Sequence, residues 1–243
     1  MSNNETFSSS GPARNETPDT EPDPKFTQTM NPPESTKRSP SLSALHEVEL
    51  APPFRSIYET VAPGAAGPEP WRRRKLKAAH AVLAAAQVSR RMIIRYLDLT
   101  QAIRMVFELK VPVPCRRDGT GPFQVAPKAL VALTYRQEAV LAEQPGHSFA
   151  EILEPRHVFH PNIWPSYQAP GAQQICLGPR LPRSIPIVEL ILMIYTATCF
   201  QSVTYAVSDP AGLLNPAAGA WLQANSTKIP LTREPFLNKE AHE

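Results

Sequence analysis

Residues 157–178 read HVFHPNIWPSYQAPGAQQICLG. The triplet His160-Pro161-Asn162 is followed, after an interval of thirteen residues, by Cys176 within the apolar triplet Ile175-Cys176-Leu177. Three chemistries fit these residue types. His157, His160 and Cys176 supply three zinc ligands, but a structural site usually takes four at paired spacings, so Cys115 or His147 would have to complete it. A cysteine between isoleucine and leucine also suits a buried core thiol. The third possibility is a nucleophilic thiol served by Asn162. The flanking sequence bears on the choice.

Downstream, prolines 179, 182 and 186 hold a loop open, and IPIVELILMIYTATCF (185–200) follows as the most apolar run of the chain. At sixteen residues, with Pro186 and Glu189 inside it, it falls short of the roughly 18 apolar residues of a membrane span. A buried helix over 187–202 is expected. LNPAAGAWLQAN (214–225) predicts a further short helix with Pro216 at its first position. Upstream, KALVALTYR (128–136) is the clearest strand, FELKVPV (107–113) is strand-like, and RRDGTG (116–121) makes a turn. Residues 137–157 are ambiguous, apart from a turn at Pro145-Gly146.

Trp71 to Val106 contains no proline or glycine and is rich in Ala, Leu, Arg and Lys, which argues helix. Met92, Tyr96, Leu99, Ile103 and Val106 step by four and three, as one helical face packing on a sheet would. A single helix of that length would run about 54 Å, so a break near residues 87–89 is expected. Twelve of the 28 prolines fall in the first 70 residues among Ser, Thr, Asn, Asp and Glu. Residues 1–68 therefore read as a disordered tail too poor in apolar surface to offset its ordering entropy. The segment IYETV (57–61) is at most a transient docking element. The order of helix, strands, cysteine loop and helices is that of an α+β domain, without internal repeats.

Composition narrows the function classes. The net charge of +3 over 243 residues is too small to imply a nucleic-acid or membrane partner. Three cysteines without framework spacing fit a reducing compartment better than a disulfide scaffold. The first twenty residues lack the basic-then-apolar pattern of a secretory signal. A soluble, cytoplasmic protein is expected.

The ordered set His160-Pro161-Asn162, Ile175-Cys176-Leu177, the segment holding Ser184 and Pro186, the apolar helix and the Asn215-Pro216 helix start resembles the ubiquitin-conjugating enzyme family. RRMIIRYLDL (90–99) is similar to that family's first helix, and the resemblance covers roughly residues 89–225. It implies the ubiquitin-conjugating-enzyme fold: an N-terminal helix, an antiparallel meander sheet and C-terminal helices. The domain boundaries that follow are a disordered tail (1–68), a helical extension (69–88), a catalytic domain (89–230) and a C-terminal tail (231–243). The thirteen-residue interval is longer than the family's usual spacing. No tryptophan follows the cysteine closely, and the proline-rich stretch before His160 is thin. These departures point to a divergent, prokaryotic branch.

The resemblance implies an acyltransferase that carries a ubiquitin-like modifier as a thioester on Cys176 and passes it to an amine. A thiolate is intrinsically nucleophilic and a thioester is already activated, so no histidine–carboxylate relay is required. Asn162 takes the part of oxyanion donor, a loop-stabilising role for the same amide being the alternative. His160 is read as a hydrogen-bonding group at the turn rather than a general base, and Pro161 as a fixed backbone point. Asp209 in VSDPAG is a candidate for orienting the incoming lysine, or simply a turn-initiating Asp-Pro. Cys199 is expected to be an inert core thiol. Cys115 precedes Arg116-Arg117, which could lower its pKa.

WRRRKLK (71–77) reads as a solvated helix face, and, given the resemblance, as a docking surface for an activating enzyme. The implied partners are a ubiquitin-like modifier, an activating enzyme, a protein substrate and a deconjugating metallopeptidase from the same operon, in some cases for phage defence. The activating enzyme would consume the ATP, so this chain would need no cofactor or metal. Two rivals remain: a non-catalytic scaffold that binds a ubiquitin-like partner, and a redox or metal-binding protein that uses Cys176.

Overall fold

A computed structural model describes residues 42, 44–167, 173–203 and 213–237. They form a mixed α+β unit with an antiparallel sheet. Four strands, β1 (Met92–Asp98), β2 (Ile103–Leu109), β5 (Ala129–Tyr135) and β6 (Ala150–Glu154), lie side by side in that order, each antiparallel to its neighbour. A two-stranded hairpin of β3 (Val113–Cys115) and β4 (Gln124–Ala126) is inserted between β2 and β5.

Period-two burial shows how the sheet faces its core. Ile103, Met105, Phe107 and Leu109 of β2 and Ala129, Val131, Leu133 and Tyr135 of β5 are all buried, as alternation across a pleat requires. Two helices contribute to the same core and contact each other: α2 (Glu69–Val88) through Val82, Leu83 and Ala86, and α4 (Ile187–Thr198) through Leu190, Ile191 and Ile194. Glu108, on the opposite register of β2, pairs with Arg95 and Lys128, each at 2.9 Å. Hydrogen bonds from Lys128, then Arg95, hold its carboxyl below the usual carboxylate range. No helix among the described residues is long and apolar enough to cross a membrane.

The helix expected to continue past residue 89 is a strand hairpin instead. The break comes where it was expected, with α2 ending at Val88. However, RRMIIRYLDL supplies β1 rather than a first helix, and Met92, Tyr96, Leu99, Ile103 and Val106 are divided between two strands and their turn. That turn has no glycine or proline. Asp98 accepts hydrogen bonds from the Thr100 amide (2.9 Å) and hydroxyl (3.1 Å), an Asx-type turn. From α2, the buried Lys75 ammonium donates to the carbonyls of Leu99 and Thr100, and the Trp71 indole donates to Gln101 O at 3.1 Å. The helix thus contributes donors that the turn residues do not supply themselves. In the basic run 71–77, Arg72 and Arg73 are solvated and reach back to Glu69, while Lys75 is wholly buried.

Three boundaries also differ from expectation. Residues 44–68, assigned to the tail, include α1 (Pro52–Val61), which carries IYETV and packs on α2; Leu45 and Leu50 before it are buried. Residues 69–88 are no appended extension but a principal cover of the sheet. Residues 231–237 are docked: Phe236 is buried against Tyr195, whose hydroxyl donates to Glu234 O. Burial of Leu45, Leu50 and Phe236 contributes to this docking, which composition alone does not report. The proline-rich residues 1–41, expected to be disordered, and 238–243 lie outside the described residues.

α3 (Glu138–Leu141) and the turn through Gly146 occupy the ambiguous stretch before β6. A Cβ on Gly146 would stand 2.3 Å from the Gly178 carbonyl oxygen, to which the Gly146 amide donates at 3.2 Å. Gly178 itself has φ +125°, a conformation that disfavours any side chain. Gly146→Ala is expected to destabilise the fold by about 3 kcal/mol, read as a shift in the urea unfolding midpoint. Gly64→Ala, whose new methyl would meet only a Thr100 methyl at 3.9 Å, should change stability by less than about 1 kcal/mol. Equal effects at the two sites would contradict the close approach.

Candidate functional site

The His160-Pro161-Asn162 turn is built from local hydrogen bonds. His160 Nδ1 accepts from the Asn162 amide at 3.1 Å, and His160 O accepts from Ile163 N at 3.2 Å. Pro161 O accepts from Asn215 N at 2.9 Å. Asn215 also caps α5 (Pro216–Ala224), its side-chain oxygen accepting from Ala218 N. One buried asparagine therefore ties the start of a helix to the turn. The His160 ring lies 4.2 Å from the Phe200 ring, centroid to centroid, just beyond the end of α4.

The long interval to Cys176 is closed at its base. Ile163 and Ile175 form an antiparallel bridge, Trp164 N donates to Gln174 O at 2.8 Å, and Cys176 N donates to Asn162 O at 2.8 Å. In this register Asn162 and Cys176 stand opposite each other, and directly opposed residues of an antiparallel ladder project to the same face. The return leg is also joined to the sheet edge: Ile175 N donates to Ala150 O and Ile152 N to Gln173 O, each at 2.9 Å. The thirteen-residue interval therefore starts and ends at a paired base. Trp164 and Tyr167 are exposed on it, and its residues 168–172 lie outside the described set.

Gln173 is a structural determinant that sequence inspection missed. Only 5% exposed, it accepts from Val158 N (2.9 Å) and donates to Ile152 O (3.2 Å) and Pro155 O (2.9 Å). One amide thus joins the return leg to the chain leading into the His-Pro-Asn turn. A glutamine in QAPGAQQ carries no local signal of this, because its partners are 15 to 21 residues away. Asn215 was legible only as the residue before a helix-starting proline.

Electrostatics separate the candidate groups. Complete burial, partly offset by the Ala197 carbonyl, lowers the His160 pKa from 6.5 to about 3. The ring is neutral near pH 7 and accepts the Asn162 N–H. His157 faces elsewhere, its Nδ1 3.1 Å from Ser166 Oγ. No group of three or more His, Cys, Asp or Glu side chains among the described residues is placed to hold a metal ion. Cys176 is 4% exposed, with its Sγ 3.7 Å from Gly178 O. Burial raises the pKa of Cys199, at the end of α4, to about 11. Burial also raises that of Cys115, against the expectation from its arginine neighbours. Arg116 is engaged elsewhere: its Nε donates to Gly121 O at 2.8 Å and its guanidinium lies over Phe159 and Trp221. Asp209, the candidate for orienting the lysine, lies outside the described residues.

The depressed His160 pKa has a signed consequence. Above pH 6.5 both folded and unfolded states hold the ring neutral. Between about 6.5 and 3 only the unfolded state takes up the proton, so stability falls as pH drops through that window. The native chain should lose about 1.5 kcal/mol more unfolding free energy between pH 6.5 and 5 than His160→Gln, measured by urea titration. Parallel pH dependences would contradict the buried neutral ring. No family model, curated protein or solved structure matches the chain.

Proposed function

We propose that the chain is a divergent, prokaryotic-type ubiquitin-conjugating enzyme, with Cys176 as the acyl-carrying nucleophile and Asn162 as oxyanion donor. The observation that carries this reading is the paired base of the interval, with Cys176 N bonded to Asn162 O at 2.8 Å and the two residues opposed in register. The chain order supports it as well: a long helix, four antiparallel strands, the His-Pro-Asn turn, the cysteine and two helices. In this reading α2, rather than residues 90–99, takes the place of the first helix, and its exposed Arg72 and Arg73 belong to the docking face for an activating enzyme.

The Cys176 thiolate attacks the carbonyl of a modifier thioester. A new C–S bond forms and the donor's thiolate leaves. An amine of the protein substrate then attacks the Cys176 thioester, and the Asn162 amide donates to the tetrahedral oxygen. Collapse forms the amide bond, expels the Cys176 thiolate and releases the amine proton to solvent. His160, neutral and engaged at the turn, positions Asn162 and takes no proton in this scheme. At 4% exposure, Cys176 must be uncovered by a local opening before loading.

That same burial favours the second reading, a non-catalytic scaffold for a ubiquitin-like partner. The two diverge in one assay with a cognate modifier, an activating enzyme and ATP. The enzyme reading predicts an adduct on a non-reducing gel that is lost with thiol and absent in Cys176→Ala. Asn162→Ala should load within about twofold of the native chain yet transfer to lysine about 100-fold more slowly. Binding without an adduct, with an active activating enzyme present, would favour the scaffold. Equal loss of loading and transfer in Asn162→Ala would make the amide structural.

A further inference from the structure

A separate cavity lies where α2, the turn Ala44–His46, the end of β5 and the start of α4 meet, with a volume of about 220 Å³. Its polar lining is His46, Arg74, Lys77, Ser184 and Tyr135, and among the described residues no carboxylate lines it. Arg74 and Lys77 are three apart on α2 and so share a face, and neither forms an ion pair among the described residues. Arg74 is oriented by donating to Ser184 O at 2.8 Å. Ile187 and Val188, in the first turn of α4, also line the cavity, and the opening amides of a helix have no acceptor within it.

Tyr135 is the independent observation. It is 2% exposed, lines the cavity, and its buried hydroxyl makes no hydrogen bond of good geometry among the described residues, with the Arg74 guanidinium the charged group beside it. A buried hydroxyl whose proton is unmatched is costly; burial, partly offset by Arg74, raises the pKa of this phenol, and because a guanidinium only donates, the Tyr135 proton is left as an available donor. The remaining wall is aliphatic, from Ala78 and Ala81 of α2 and Ile103 of β2.

We propose that this cavity is a binding site for a small phosphate monoester with a compact apolar body. The dianion would be met by the Arg74 and Lys77 side chains, the Tyr135 hydroxyl and the N-terminus of α4, and its organic part by the aliphatic wall. Three terminal phosphate oxygens match donors converging from two helices and a strand better than the two of a carboxylate do. The volume of about 220 Å³ suits a single ring or short chain. The site shares no lining residue with the His160–Cys176 region, so the proposal is independent of the conjugation chemistry.

The test is isothermal titration of the full chain with phenyl phosphate, inorganic phosphate and phenol. Phenyl phosphate should saturate one site per chain, at least about tenfold tighter than inorganic phosphate, with phenol undetectable. Lys77→Gln and Tyr135→Phe should each weaken phenyl phosphate about tenfold or more, with melting curves verifying that both variants fold. Neither substitution removes the Arg74–Ser184 hydrogen bond. Absence of phenyl phosphate binding would overturn the proposal. So would binding unchanged in both variants, or phenol binding as tightly as phenyl phosphate.

Discussion

The hydrogen bond from Cys176 N to Asn162 O, with the Ile163–Ile175 bridge beside it, is the constraint on which the candidate site depends. A thirteen-residue interval pays a loop-closure entropy that grows slowly with length, so added residues need not separate its ends. Here the ends are fixed from both sides. The return leg is bonded to β6, and the departing leg starts from a turn held by the His160 ring and by Asn215. The pairing also covers an otherwise open sheet edge, a place where unpaired strands invite association.

Behind this edge, the one-sided sheet sets where the parts can go. β2 and β5 commit one face to α2 and α4 and leave Glu108, Arg95 and Lys128 on the other. α4 is the next helix after the cysteine segment, and its packing against the core places Phe200 at the helix end, against the His160 ring. Burial makes that imidazole a neutral acceptor. In the His-Pro-Asn turn the histidine consequently orients the backbone of Asn162, and the chemistry proposed for the site needs no charged relay.

Much of this was legible in the sequence. LILMIY announced α4, KALVALTYR announced β5, and Asn215-Pro216 marked the start of α5, because long apolar runs and proline positions act locally. The segment 89–106 misled for a physical reason. Its hairpin turn, Leu99 to Ala102, has no glycine or proline and only Asp98 at its edge as a local signal, while Lys75 and Trp71 of α2 provide further stabilising donors from a distance. The alternation of Ile103, Met105, Phe107 and Leu109 was the competing signal, and burial follows it. The docking of residues 44–61 and 231–237, the staple formed by Gln173 and the contact between Gly146 and Gly178 are all long-range effects. No local periodicity reports them.

The interval between Asn162 and Cys176 is closed at its base, so that the two residues stay opposed in the folded chain. Residue-resolved amide hydrogen exchange tests it most directly. The N–H groups of Cys176, Trp164 and Ile175 should be protected to a degree comparable with those of β5. Exchange of the Cys176 and Trp164 amides at the rate of an open loop, with β5 still protected, would contradict the account.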